Sequence, residues 1–226
     1  MPRAALWDLD GTLIDSAGYH WESWRAILEP RGVVMDISEF GRWFGKRNDT
    51  ILREVFGERM SATEIEELSE TKEAHYRKTL LERGLELLPG ASDWLARLHS
   101  AGWRQALATS APRANVEAVL ELLGIGRWLD GWVSADDVGK GKPDPDVFLA
   151  AARAVGVDPA ACVVVEDAPA GVEGARRAGM RSIGILSDHH RQLDADVVAS
   201  SLEKLPLDAF ERLVGIAAVR SGSQHA

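Results

Sequence analysis

The sequence predicts an α/β protein, a doubly wound parallel sheet interrupted once by a purely helical insert. Three observations predict it. From Gly90 onward, amphipathic helical segments alternate with short strand-like ones. The strand-like segments are continuous apolar runs, such as Cys162-Val163-Val164-Val165, which suits strands covered on both faces. Polar residues gather at the carboxyl ends of three of these runs, at Asp8, Thr109 and Glu166-Asp167. In an open parallel sheet that is where sites form.

Taken in order, Ala4-Ala5-Leu6-Trp7 is the first strand, and it stops at Asp8. Tyr19, Trp24, Ile27 and Leu28 then fall at helical spacing until Pro30 and Gly32 end the run. Asp36 to Phe44 reads as a short helix stopped by Gly45, and Asp49 to Phe56 as a second one. Ser61-Ala62-Thr63-Glu64 is a capping box, opening a long helix that carries Ile65, Leu68, Tyr76 and Leu80 to a stop at Gly84. The acidic run Glu64 to Glu73 reads as its solvated face. Nothing between Ser16 and Gly84 reads as a strand. The helical insert therefore spans residues 16–85, and the α/β core comprises residues 1–15 and 86–226.

In the core, Gly90 to His99 reads as a helix, Arg104 to Ala108 as a strand, Arg113 to Leu123 as a helix closed by Gly124, and Gly131 to Val133 as a short strand. Asp144 caps and Pro145 starts a helix through Val155. Cys162 to Val165 is a strand, Ala168 to Ala178 a helix stopped by Gly179, and Arg181 to Leu186 a strand. Asp196 to Ala199 reads as a last short strand and Leu207 to Val219 as a last helix, with a frayed tail from Arg220 to Ala226.

Composition narrows the function. The chain has 226 residues, 46% hydrophobic, enough for a sizeable core. A formal net charge of −9 argues against a nucleic-acid partner, which needs a basic face, but leaves room for a phosphorylated small molecule. The single cysteine, Cys162, excludes an internal disulfide and lies among valines, where it reads as core. No signal peptide and no run long enough to span a membrane is evident, so the expectation is a cytoplasmic protein, a monomer or weak dimer. His189-His190 reads as an exposed loop pair with no third metal ligand nearby.

The chemistry starts at Trp7-Asp8-Leu9-Asp10-Gly11-Thr12-Leu13-Ile14-Asp15-Ser16. Asp8 and Asp10 can share one site if the strand ends in a turn there, which Gly11 permits. Two carboxylates about 4 Å apart repel by roughly 4 kcal/mol at an effective dielectric of 20. A bound cation or a shared proton removes that cost. As a bare turn signal Asp10-Gly11 is common, but five fixed letters at these spacings arise by chance in a chain this long on the order of once in ten thousand.

This stretch resembles the first motif of the haloacid dehalogenase superfamily of phosphotransferases, DxDGTLxDS. The other motifs of that family follow in order: Thr109 at a strand end, Lys142 in Gly141-Lys142-Pro143-Asp144-Pro145, and the acidic pair Glu166-Asp167. The run Glu166-Asp167-Ala168-Pro169-Ala170-Gly171-Val172 is similar to the sugar-phosphatase and β-phosphoglucomutase-like branch, and the insert to that branch's four-helix cap. The resemblance implies a Rossmann-like core and an aspartyl-phosphate mechanism. Asp8 is then the nucleophile, and Asp10 the general acid and base. Thr109, with the following backbone N–H at Ser110, holds a phosphoryl oxygen, and Lys142 neutralises charge. Mg²⁺ is the implied cofactor, ligated by Asp8 and Asp167 with the Asp10 carbonyl, and Glu166 close behind.

Substrate choice falls to insert residues facing the strand ends: His20, Trp43, Lys46, Arg47, Asn48 and Lys78, with Trp24 divided between stacking on a sugar and core packing. Mutases of the branch carry an arginine after the glycine of this turn to grip a second phosphate. Here Asn48 stands at that position, with Arg47 beside it, whereas His20 and Lys78 match the mutase pattern. The leading expectation is a Mg²⁺-dependent phosphatase acting on a small phosphorylated metabolite, with a sugar phosphate among the candidates. A β-phosphoglucomutase-like enzyme is the alternative. A dehalogenase is disfavoured by Asp10, because a halide needs no proton. A non-catalytic metabolite-binding protein is disfavoured by the complete set of motif residues.

Overall fold

The computed structural model describes residues 2–222. Six strands form one sheet: β1 (Ala4–Trp7), β2 (Arg104–Ala108), β3 (Gly131–Val133), β4 (Cys162–Glu166), β5 (Arg181–Ile185) and β6 (Val197–Ala199), in the order β3-β2-β1-β4-β5-β6. Every pairing is parallel. The expected doubly wound, Rossmann-like sheet is present, and the order reverses at β1, between β2 and β4. That places the carboxyl end of β1 at the switch point, where a crevice opens.

Side chains alternate across β1, and this splits the core into two layers. Ala5 and Trp7 join one apolar cluster with Trp94, Leu95, Val116, Phe210 and Leu213. Ala4 and Leu6 join the other, with Val147, Phe148, Ala151 and Ala175. The covering helices are α5 (Ala91–Ser100), α6 (Arg113–Leu123) and α9 (Ala209–Gly222) on the first face, and α7 (Asp146–Val155) and α8 (Pro169–Arg177) on the second. Cys162 is buried in β4, its thiol pushed up to about 12 by burial and by the charge of Asp158, as a core cysteine should be.

Between β1 and α5 the chain is helical, as expected: α1 (Ala17–Leu28), α2 (Ile37–Phe40), α3 (Asn48–Phe56) and α4 (Ala62–Arg83). The capping box is formed in full. Ser61 Oγ accepts the Glu64 N–H, and Glu64 reaches back to the Ser61 N–H. A third apolar cluster, with Trp24, Leu28, Phe40, Phe44, Leu52 and Ile65, belongs wholly to this layer. Trp24 is therefore a packing residue. Helix α4 is about 33 Å long, and it changes company along its length. Ile65 and Leu68 pack in the insert, while Tyr76 and Leu80 join the core cluster of Trp7 and Trp94.

Some boundaries differ from expectation. The helix expected over Asp36 to Phe44 ends at Phe40, and turns carry the chain to Gly45. Helix α7 begins at Asp146, not Pro145, because the preceding turn closes with the Asp144 N–H on the Gly141 carbonyl. Asp144 still receives the Asp146 N–H on Oδ1 at 3.4 Å. The last helix reaches Gly222, past the expected start of the tail, and residues 223–226 lie outside the described residues. Among the described residues no helix is long and apolar enough to cross a membrane.

Candidate active site

The turn after β1 builds the first half of the site. Asp8 follows the last strand residue and donates its N–H to the Val165 carbonyl of β4. Gly11 turns the chain with φ +85°, and a Cβ there would stand 2.3 Å from Asp167 Oδ2 and 2.8 Å from the Phe44 ring. Only glycine fits this approach. Thr12 then donates its hydroxyl to Asp167 Oδ1 at 3.3 Å, tying the β1 turn to the β4 strand end.

Lys142 supplies the cation. It donates to Asp8 Oδ1 at 2.5 Å and to Glu166 Oε1, with its side chain 3% exposed. Burial works to lower its pKa, but the charges of Asp8 and Glu166 and their hydrogen bonds outweigh that and raise it. Lys142 is a fixed ammonium. Asp8, Glu166 and Asp167 each offer a carboxylate oxygen within 4.8 Å of the others. Burial, then the charge of Glu166, pushes the Asp8 carboxyl up to about 8. Burial, then the charges of Asp8 and Glu166, raises Asp167 well above the carboxylate range. Three carboxyl groups face one ammonium, so their full ionisation would leave two negative charges unbalanced, and Asp167 Oδ2 is buried without a hydrogen-bond partner. A small divalent cation with oxygen preference fits this donor set.

Asp10 lies in a different environment. Ser16 Oγ donates to its Oδ1 at 2.6 Å, His20 Nε2 lies 3.1 Å away and Tyr76 OH 3.4 Å away. Burial works to raise its pKa, but the hydrogen bonds from His20 and Ser16 and the Lys72 charge lower it on balance. The Ser16 hydroxyl occupies the N-cap position of α1 and caps nothing, being turned to Asp10 instead. Lys72 Nζ donates to His20 Nδ1 at 2.7 Å. An ammonium has no acceptor, so Nδ1 must accept, and the His20 proton sits on Nε2, aimed at Asp10. His20 is stacked on Tyr76 at 4.1 Å, which fixes the ring plane. The two aspartates are thereby set apart, one against a lysine and its acids, the other held by three donors.

A narrow cleft of about 40 Å³ lies between the helical layer and the strand ends, with Asp10, His20, Trp43, Lys46, Asn48, Lys72, Glu73 and Ser110 on its walls. Thr109 is buried just past β2, its Oγ1 accepting the Ala111 N–H at 3.0 Å. Of the insert residues expected at the site, His20, Trp43, Lys46 and Asn48 face the cleft. Trp43 Nε1 and Lys46 Nζ both donate to Glu54, at 2.7 and 2.8 Å.

Four expectations need correction. Lys78 does not face the site. It is exposed and 3.8 Å from Glu82, because it lies about 200° around α4 from the inward-facing Tyr76. Arg47 leaves the cleft and donates to the Ala135 and Val138 carbonyls of the core at 3.3 and 3.2 Å. The acidic run is not solvated throughout. Glu73 and Lys72 are 3% and 2% exposed and bonded to each other at 2.8 Å. Lys72 and Glu73 are the residues the sequence reading missed. The spacing of four between Lys72 and the apolar Tyr76 was the available signal. The His189-His190 pair is half-buried rather than exposed, with His189 packed on Phe40 and Phe44.

Comparison with known proteins agrees with this geometry. A profile of the family described as haloacid dehalogenase-like hydrolase matches residues 2–179. The chain is 31% identical to the validoxylamine A 7′-phosphate phosphatase of Streptomyces hygroscopicus subsp. limoneus, over 91% of this chain and 96% of that protein. It is 36% identical to hexitol phosphatase A of Escherichia coli (strain K12), over 90% of this chain and 93% of that protein. The crystal structure of a β-phosphoglucomutase from Clostridium difficile superposes with a TM-score of 0.87 at 26% identity, over 97% of this chain and all of that one. With the ordered motifs, the switch-point site and a profile spanning most of its length in accord, the chain belongs to the haloacid dehalogenase-like hydrolase family.

Proposed function

We propose that the protein is a Mg²⁺-dependent phosphatase that hydrolyses the monophosphate ester of a small hydroxylated metabolite through an aspartyl-phosphate. The observation that carries this reading is the unlike setting of the two aspartates, Asp8 against Lys142 and Asp10 held by Ser16, His20 and Tyr76. The relatives named as phosphatases support it.

Asp8 attacks phosphorus in line, forming an Asp8–phosphorus ester as the phosphorus–oxygen bond to the leaving group breaks. Asp10, kept ionised in the free site by the donors on its Oδ1, takes up a proton as the negatively charged phosphate enters beside it and gives that proton to the departing alkoxide. The Oδ1 donors hold the carboxyl in place through that transfer. Asp10, now a carboxylate, takes a proton from water, whose oxygen attacks the phosphorus and frees Asp8 and inorganic phosphate. Lys142 holds Asp8 and balances charge on the transferring group, while Thr109 and the Ser110 N–H orient its oxygens. Mg²⁺ held by Asp8, Asp167 and the Asp10 carbonyl, with Glu166 behind, offsets the remaining negative charge when bound. The cleft is too small for a sugar phosphate, so the helical segment 16–85 must swing from the core to admit one. We read it as a cap domain on a core of residues 1–15 and 86–226. The net charge of −9 and the reduced Cys162 fit a cytoplasmic enzyme of metabolites rather than of nucleic acid.

A β-phosphoglucomutase-like transfer between sugar hydroxyls is the second reading, favoured by the structural likeness and by the Lys72–His20–Asp10 chain. Against it, Arg47 is spent on core carbonyls. The test is p-nitrophenyl phosphate hydrolysis with Mg²⁺ and with EDTA. Asp8→Asn is expected to reduce turnover to background while leaving the circular dichroism spectrum unchanged, and EDTA to stop the parent. Undiminished turnover in Asp8→Asn removes Asp8 as the nucleophile; full activity in EDTA removes the metal.

A further inference from the structure

The far wall of the cleft carries chemistry that the phosphoryl-transfer residues do not use. Glu73 is buried there, yet burial fails to neutralise it. The Lys72 charge and hydrogen bonds from Lys72 and Asn48 hold its pKa below the usual range. Its Oε1 accepts from Lys72 Nζ at 2.8 Å and Asn48 Nδ2 at 2.7 Å, and its Oε2 accepts from Asn115 Nδ2 at 2.6 Å. A carboxylate offers about four lone-pair positions, so one on Oε2 is left for a further donor. Asn48 spends an N–H on Glu73, which leaves its carbonyl oxygen to accept as well. Of the cations on the cleft wall, Lys72 is paired with Glu73 and Lys46 with Glu54.

We propose that Glu73 is a specificity-determining residue. Its carboxylate, with Asn48, accepts hydroxyl donors from the leaving group and, by occupying Lys72, leaves no unpaired cation at this wall for a second phosphate, so the substrate class is the monophosphate of a neutral polyol or sugar and excludes bisphosphates. The inference rests on the phosphatase reading and narrows it. A second phosphate at this wall meets carboxylate oxygens and two lysines already matched by acids, whereas a hydroxyl meets an acceptor with a free lone pair. An anion taken out of water with no cation to receive it carries an uncompensated desolvation cost.

The test measures kcat/KM of the Mg²⁺-loaded protein for fructose 1-phosphate, fructose 1,6-bisphosphate and p-nitrophenyl phosphate, in the parent, in Glu73→Gln and in Asn48→Arg. The readout is the monophosphate-to-bisphosphate ratio, which a general loss of activity through Lys72 and His20 does not move. The parent is expected to favour the monophosphate at least tenfold. Glu73→Gln, nearly isosteric and neutral, is expected to lower the ratio at least fivefold. Asn48→Arg, which sets a guanidinium against the same carboxylate, is expected to lower it similarly and supplies the result if Glu73→Gln does not fold. A parent that prefers the bisphosphate, or a ratio that neither variant moves, overturns the inference while the phosphatase reading stands. No hydrolysis of any of the three esters by the parent refutes both.

Discussion

Gly171 presses on the site from beneath, and replacing it by alanine sets two effects of opposite sign against each other. In the first turn of α8, an alanine gains up to about 1 kcal/mol from helix propensity and a less flexible unfolded chain. Its φ is not in the left-handed region, so the backbone raises no objection. The added Cβ, however, would lie 1.9 Å from Glu166 Cδ and 2.0 Å from Oε1. The Glu166 carboxylate must retreat by about 1.5 Å to reach ordinary contact distance. It is 1% exposed and anchored by Lys142 and the Ala168 N–H, so it has no solvent to retreat into. Breaking a buried pair of this kind costs about 3–5 kcal/mol, so Gly171→Ala should destabilise by roughly 2–4 kcal/mol net. Lys142 also loses one of its two acids, and p-nitrophenyl phosphate turnover should fall at least about tenfold. Urea titration in EDTA measures the first effect and steady-state kinetics with Mg²⁺ the second. Gly215→Ala calibrates the sign. In α9 a Cβ there meets nothing within 4 Å, so only the helix gain of about 1 kcal/mol should appear. A Gly171→Ala protein as stable and as active as its parent would refute the reasoning that the Glu166–Lys142 contact is pinned by packing.

Two further outcomes follow from the electrostatics. Because the folded Asp8 carboxyl is pushed up to about 8, the metal-free fold holds a proton that the unfolded chain releases near 4. That contribution is fully present below about pH 4 and is lost as pH rises to about 8, at up to about 1.4 kcal/mol per unit. Urea midpoints in EDTA should therefore drop between about pH 5 and pH 8, Mg²⁺ should flatten the drop, and a midpoint that rises instead contradicts it. Lys72→Met leaves Glu73 as an uncompensated buried charge and should cost about 3–5 kcal/mol. Adding Glu73→Gln should recover part of that loss, and thermal melts of the three proteins check it.

The parts of this molecule that could be read from its sequence share one property: the signal and its cause lie close together in the chain. The apolar run of β1 and the carboxylates beyond it are adjacent, and so are the Cys162–Val165 run and Glu166-Asp167. Parallel strands buried on both faces have no polar side to confuse the pattern. The capping box of α4 is likewise settled within four residues. Where cause and signal separate, the reading fails. Helix α4 buries its first half among the insert helices and its second half against the core, so no single apolar stripe runs its length. At the changeover its inner face is Lys72 and Glu73, which by composition look solvated. What buries them is each other, together with Asn48, 25 positions away from Glu73, and Asn115, 42 positions away. A buried ion pair satisfied from distant segments leaves no local trace, which is why the sequence points to Lys78 and passes over Lys72. The same physics separates the two functional questions. The proposed phosphoryl transfer would use groups at strand ends, whose positions the sheet dictates. The proposed choice of the phosphoryl group's partner would use a polar network built jointly by the helical layer and the core. A substitution at Asn115, outside the insert and absent from the cleft wall, should therefore shift substrate preference through Glu73.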